Sequence, residues 1–177
     1  MARLTGMSMA VAQAGKYLTF QLGMEFYGIE ILKVQEIIGL MPVTRVPRAP
    51  EFVRGVINLR GRIIPVMDLR RKFSLEEHED TERTCIVVAR VMLRDRPMTM
   101  GLLVDEVSEV LSVKEEQIEA APSFGANVDT QFLLGMAKVG QKVVMLLDVD
   151  RVLTSEEVET LEAVPMAAEN GSAQAEE

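Results

Sequence analysis

Through the middle of the chain, short runs of Val, Ile and Leu are broken by Gly, Pro and Asn. The breaks recur at a spacing of roughly ten residues, which predicts many short strands in barrels or a sandwich. The runs are Tyr17–Leu22, Glu25–Ile29, Val34–Leu40, Val56–Leu59, Ile63–Met67, Thr84–Leu93, Met98–Val104, Val107–Val113, Leu134–Val139 and Lys142–Leu147. Helices are few and short. The segments 68–73 and 148–153 each open on an aspartate able to accept from the free N–H groups of a helix start. Ser155-Glu-Glu-Val158 begins a last amphipathic helix running to about Ala163, with Pro165 beyond it. Pro50 and Pro122 stand before one-turn connectors. The small and polar residues at 1–15 and the acidic stretch 164–177 are too poor in large apolar groups to pack, so they read as flexible tails around a domain at 16–163.

The pattern also repeats. Residues 53–73 lie over 133–153 at a fixed offset, matching Gly55 with Gly135 and Asp68 with Asp148, each copy reading strand, turn, strand, short helix. Residues 27–38 similarly cover 100–111, matching Gly28 with Gly101, Val34 with Val107 and Glu36 with Glu109, and Pro50-Glu-Phe52 answers Pro122-Ser-Phe124. Three matches in the same order predict two related lobes. The turn is not repeated: Asn58-Leu-Arg60-Gly61-Arg62 stands against Lys138-Val-Gly140-Gln141-Lys142, so the second lobe lacks a counterpart of Arg60.

Composition narrows the chemistry. With 177 residues, 48% apolar and 26% charged, the chain can bury a sizeable core and is not disordered as a whole. A net charge of −8 gives no overall attraction to nucleic acid or an anionic membrane. A single cysteine, Cys85, cannot form an internal disulfide, and a single histidine, His78, excludes zinc sites needing several Cys or His ligands. The cytoplasm fits best. No stretch of Met1–Gly15 has the apolar core of a signal peptide, and no later apolar run is long enough to span a bilayer.

Candidate catalytic groups are weak. His78 sits in the acidic stretch 76–80, which reads as a solvated hairpin, and Cys85 lies on a strand, where a core thiol is the simpler reading. Gly55 to Gly61 has the wrong spacing for a phosphate loop and ends on a strand. The adjacent acids Asp105/Glu106 and Glu115/Glu116 point apart in strand or turn context. Of the twelve methionines, most read as core or tail, with Met67, Met92, Met100, Met136 and Met145 packed on strands. Met24 and Met41, at turns, are the exposed candidates. Between Arg45 and Lys72, eight basic residues face two acids, a local +6 against −14 elsewhere. The segment is either a solvated basic face, with Arg70-Arg71-Lys72 on a short surface helix, or an interaction surface for an acidic protein partner.

The strings themselves are familiar. Tyr27-Gly-Ile-Glu-Ile-Leu-Lys-Val-Gln-Glu-Ile-Ile38, Val43-Thr-Arg-Val46, Pro50-Glu-Phe-Val-Arg-Gly-Val-Ile-Asn-Leu-Arg-Gly61, Ile63-Ile-Pro-Val-Met-Asp-Leu-Arg70 and Gly101-Leu-Leu-Val-Asp-Glu-Val-Ser-Glu-Val-Leu111 closely resemble the CheW family of bacterial chemotaxis coupling proteins. The resemblance runs from about Lys16 to Leu161. It implies a mainly β fold of two five-stranded, Src-homology-3-like barrels around a shared core. It also implies no enzymatic activity, no cofactor, and a bridging role at the inner face of the membrane. The partners so implied are the cytoplasmic tips of methyl-accepting chemoreceptors and the regulatory domain of the histidine kinase CheA.

Carried over position by position, the resemblance puts Ile31, Val34, Glu36, Gly55 and Arg60 on a receptor-facing groove between the lobes. Arg60 is the principal residue, oriented by an ion pair with Glu36 across adjacent strands. Val43, Arg45 and Phe124 fall on the kinase-facing edges, Phe124 either as an exposed anchor or, like Phe52, as a plug for its own barrel. Glu119 departs from a position the family often fills with a basic residue. The alternative from another class is a small-barrel nucleic-acid binder, marked by salt-dependent retention on phosphate resin through the arginines of 45–72.

Overall fold

The protein is described by a computed structural model covering residues 14–76, 79–120, 132–153 and Glu157. All ten expected strands form: β1 (Gly15–Leu22), β2 (Glu25–Glu30), β3 (Val34–Gly39), β4 (Val53–Leu59), β5 (Arg62–Asp68), β6 (Cys85–Leu93), β7 (Arg96–Val104), β8 (Glu106–Val113), β10 (Leu133–Val139) and β11 (Lys142–Leu147). An eleventh, β9 (Ile118–Glu119), is too short to show periodicity. The single α-helical turn among the described residues outside Glu157, α1 (Leu69–Lys72), starts at Asp68, whose carboxylate accepts from the backbone N–H groups of Arg70 and Arg71. One-turn 3-10 helices occupy Ile31–Lys33, Glu115–Gln117 and Val149–Arg151. The helix expected from Ser155 lies outside the described residues except for the helical Glu157, and β1 takes in Gly15, assigned above to the tail.

The strands form two sheets, ordered β3-β6-β7-β5-β4 and β8-β1-β2-β11-β10-β9. The orders correspond strand for strand, β3-β6-β7-β5-β4 to β8-β1-β2-β11-β10, so the repeat is a repeat of structure. In both copies the long hairpin carries a bulge at the glycine: Gly55 opposes Val66 and Gly135 opposes Leu146. The parallel pairing repeats as well, Gly101 opposite Val66 and Gly28 opposite Leu146. The two lobes are intertwined, because β1 and β2 from the start of the chain complete the sheet that holds β10 and β11.

Two expectations change. The Phe52 carbonyl accepts the Asp68 N–H at 2.7 Å and the Phe132 carbonyl accepts the Asp148 N–H at 2.8 Å. Phe132, rather than Phe124, is therefore the counterpart of Phe52, and Phe124 lies outside the described residues. Nor are the sheets closed barrels. In the described residues β3 and β4 remain the two edges of one sheet, and β8 and β9 those of the other. The chain leaving β3 touches β4 at one bridge, Thr44 with Val56, through paired hydrogen bonds of 2.8 Å. Pro42, Pro47 and Pro50 remove donors along this segment, which limits any longer ladder.

Burial explains the unbroken apolar runs. The largest cluster lies between the sheets and joins Leu18, Phe20, Leu22, Tyr27 and Ile29 of one to Val87, Ala89, Val91, Met100 and Leu102 of the other. Each sheet also curls around a smaller core: Tyr17, Ala137, Val144 and Leu146 in one, Ile57, Ile64, Val66, Ile86, Val88 and Leu103 in the other. Strands such as β1 and β6 are covered on both faces, so alternation is lost. A ladder of stacked rings, Phe20, Tyr27, Phe73 and Phe132, runs through the shared core with centroids 4.9–6.1 Å apart.

Candidate functional site

On β3, the half-buried positions Val34, Glu36 and Ile38 alternate with exposed ones. Glu36 opposes Val88 on the side of the sheet's own small core. Arg60 sits in the β4–β5 turn at φ 53°, a left-handed conformation supported by Asn58, whose side-chain oxygen accepts the Gly61 N–H at 2.8 Å. The Arg60 guanidinium forms an ion pair and hydrogen bond with the Glu36 carboxylate, as expected, but the strands are not neighbours. β3 and β4 are opposite edges of the sheet, so the pair spans the seam where the curled sheet stays open. The Arg60 side chain is 67% exposed. A pair so exposed adds about 0–1 kcal/mol to stability. Its effect is to hold a planar, multi-donor group at a fixed place on the surface.

The other expected contacts fall in two groups. Ile31 and Val34 flank the turn that carries the chain from one sheet to the other, half-buried against the shared core. Leu32 between them is 94% exposed. No periodicity marks Leu32, because a one-turn helix has no repeated face. Ile37 on β3 and Val110 on β8 occupy matching edge positions and are also exposed.

Gly55 is buried and packs on the segment after β3: a Cβ there would lie 2.2 Å from the Thr44 oxygen and 2.8 Å from Val43 Cγ1. This expected receptor contact therefore abuts the expected kinase contact Val43. Val43 packs on the small core of its sheet and, with the exposed Arg45, lines an open groove of about 530 Å3 together with Leu40, Val46, Arg48 and Arg54. Met24 is exposed as expected, Met41 is half-buried, and Met92, expected inside, emerges at the end of β6.

The basic segment is largely neutralised from within. Arg70 is buried, not on a surface helix, because α1 turns it onto Asp68, Asp80 and Asp105 at 3.2–3.5 Å. Arg54 pairs with Asp80 at 2.6 Å and Asp68 at 3.4 Å, Arg71 lies 3.8 Å from Asp68, and Lys72 pairs with Glu157 at 3.2 Å. Buried charge is tolerated only when paired in this way. Arg45, Arg48 and Arg62 form no ion pair among the described residues. Glu119 pairs with Lys138 at 2.7 Å across β9 and β10.

The candidate nucleophile fares poorly. Burial, with the Glu106 charge adding, outweighs the Val107 hydrogen bond and pushes the half-buried Cys85 thiol up, so that the thiolate is disfavoured. His78 lies outside the described residues. Among the described residues no cluster of three potential ligands could hold a metal, and no helix is long and apolar enough to cross a membrane.

The model of the CheW-like domain matches residues 16–157. The chain is 42% identical over 149 residues to the chemotaxis protein CheW of Klebsiella aerogenes, covering 84% of this chain and 87% of that one. It is 34% identical over 157 residues to CheW of Rhizobium meliloti, covering 84% and 99%. Among solved structures, the scaffolding protein TtCheW of Thermoanaerobacter tengcongensis aligns with a TM-score of 0.72 at 32% identity, covering 82% of this chain and 97% of that one.

Proposed function

The chain belongs to the CheW-like family, and from that premise we propose how this chemotaxis coupling adaptor meets its partners. It binds the cytoplasmic tips of methyl-accepting chemoreceptors on one surface and the regulatory domain of CheA on another, and so recruits the kinase to receptor arrays at the inner face of the membrane. It performs no chemistry of its own. Signal passes as differential binding, since an adaptor that held both signalling states equally could bias neither.

The receptor-facing surface is assigned to Ile31, Val34, Glu36 and Arg60, with Gly55 keeping β4 close to Thr44 behind it. A receptor helix lays apolar side chains against the Ile31–Val34 corner. The carrying observation is Arg60: an exposed guanidinium held by Glu36 across an open seam, at the one turn position where the repeat gives the other lobe only Gly140. The kinase-facing surface is assigned to Val43 and Arg45 in the basic groove, where Arg45 and Arg48, which form no ion pair among the described residues, favour an acidic partner. Phe124 belongs to the same proposal on sequence grounds alone. Nucleic acid is disfavoured because Arg54, Arg60, Arg70, Arg71 and Lys72 are held by this chain's own carboxylates.

The test is titration of receptor cytoplasmic fragments and of the CheA regulatory domain with wild type and Arg60→Ala. The substitution is expected to weaken receptor binding by about 1–3 kcal/mol, as for an interface arginine, with thermal stability nearly unchanged. Unaltered receptor affinity would sink the assignment.

A further inference from the structure

The chain crosses between the two sheets at corresponding places, and each crossing is held by a charge from the corresponding helical turn, with the signs exchanged. At the β7–β8 crossing, Asp105 accepts the Gly23 N–H at 2.6 Å with one carboxylate oxygen and meets the Arg70 guanidinium at 3.2 Å with the other. At the β2–β3 crossing the cation is on the crossing: Lys33 Nζ donates to Asp150 Oδ2 at 2.8 Å, while Asp150 Oδ1 accepts the Met92 N–H at 2.8 Å. Arg70 and Asp150 are the same position in the repeat, two residues past Asp68 and Asp148. Gly23 follows β1, and Met92 lies near the end of the equivalent strand, β6. Each carboxylate thus ties a strand-end N–H to a cation, and each clasp draws both sheets together.

The two clasps differ in burial. Arg70 and Asp105 have side chains 4% and 13% exposed, whereas Lys33 and Asp150 are 27% and 29% exposed. The first is locked within a network that includes Asp68 and Asp80. The second is a single half-exposed pair, weak enough for solvent to compete with it, and its cation sits between Leu32 and Val34.

We infer that the Lys33–Asp150 clasp positions the Ile31–Val34 corner for its receptor, which makes Asp150, on the far side of the molecule's internal repeat, a positioning residue for receptor binding. This rests on the receptor-facing reading of Ile31 and Val34. Asp150 accepts from the end of β6 and from Lys33 at once, so it sets the angle at which the Ile31–Lys33 turn leaves the shared core and presents Leu32. Removing its charge leaves the turn attached through Ile31 and Val34 but frees its outer face, so the receptor must bear the ordering cost.

The experiment is a double-mutant cycle on the full chain with Asp150→Asn, Lys33→Met and the pair. Asn keeps an oxygen for the Met92 N–H and removes only the charge. Each single variant is expected to weaken binding of a receptor cytoplasmic fragment about fivefold, the size of one half-exposed ion pair, and the double variant no more than either single. Affinity for the CheA regulatory domain stays at its wild-type value, the melting temperature falls by no more than about 2–4 °C, and raising the salt narrows the difference between wild type and variants. Additive losses, a common fall in both affinities with the melting temperature, or wild-type receptor affinity in Asp150→Asn overturns the inference. If Asp150→Asn binds normally while Arg60→Ala binds weakly, the inference alone fails. If Arg60→Ala also binds normally, the receptor-facing reading fails with it.

Discussion

A methyl group at position 55 would have to share space with the Thr44 carbonyl oxygen, and the φ of 149° at that residue is one that side chains rarely adopt. Gly55→Ala is therefore expected to cost about 3 kcal/mol, the upper end for a single substitution. Urea unfolding at equilibrium measures this. The sequence singled out Gly55 through its repeat partner Gly135 but not its reason: a glycine reads alike whether a partner or the chain's own backbone approaches it. Arg60 was legible because it breaks the repeat. Arg70 was not, since a basic tripeptide after a capping aspartate looks solvated until Asp80 and Asp105, ten and thirty-five residues on, are brought against it.

At the scale of elements, the strands were legible from short apolar runs and turn residues, because pleated strands buried on both faces tolerate only such sequences. Their partners were not. Nothing local tells β2 to lie beside β11 rather than beside β3, which follows it. That exchange has a testable consequence. Deleting residues 1–30 removes β1 and β2, the two strands between β8 and β11, and strips Leu18, Phe20, Leu22, Tyr27 and Ile29 from the shared core. The remaining chain is expected to lose cooperative unfolding by circular dichroism and urea titration altogether, rather than to leave one lobe intact. The two-residue β9, with Glu119 opposite Met136, takes in the second lobe the place that the Thr44–Val56 bridge takes in the first. So small an element is decided by the edge available to it, not by its own residues.

At the scale of the molecule, the −8 net charge divides between buried networks and exposed faces. Burial alone would raise the Asp80 carboxyl, but hydrogen bonds and charges from Arg54 and Arg70 outweigh it and hold the group below the usual carboxylate range. A carboxyl lowered in the folded state contributes stability above its unfolded value of about 3.9 and loses it as pH falls through the folded value. Asp148 runs the other way. Burial, with the Asp150 charge, raises it against a hydrogen bond from the Asp150 N–H and the charges of Arg151 and Lys33, so protonation as pH falls favours the fold at that site. Asp80→Asn is expected to be less stable than wild type near pH 6 and to lose less stability between pH 6 and about pH 3, read from urea midpoints at each pH.

By itself the sequence determined ten of the eleven strands, the internal repeat and the family, because each is written in local pattern or in strings of adjacent residues, and the pairing of Glu36 with Arg60 came with the family resemblance. Only the tertiary structure decided that the pair spans an open seam, that Phe132 stands where Phe52 stands, and that Asp150 answers Arg70 with the opposite charge. Those facts depend on which distant strands share a sheet. That choice is made by burying the apolar faces of both lobes in one common core, a sum over the whole chain that no segment carries alone.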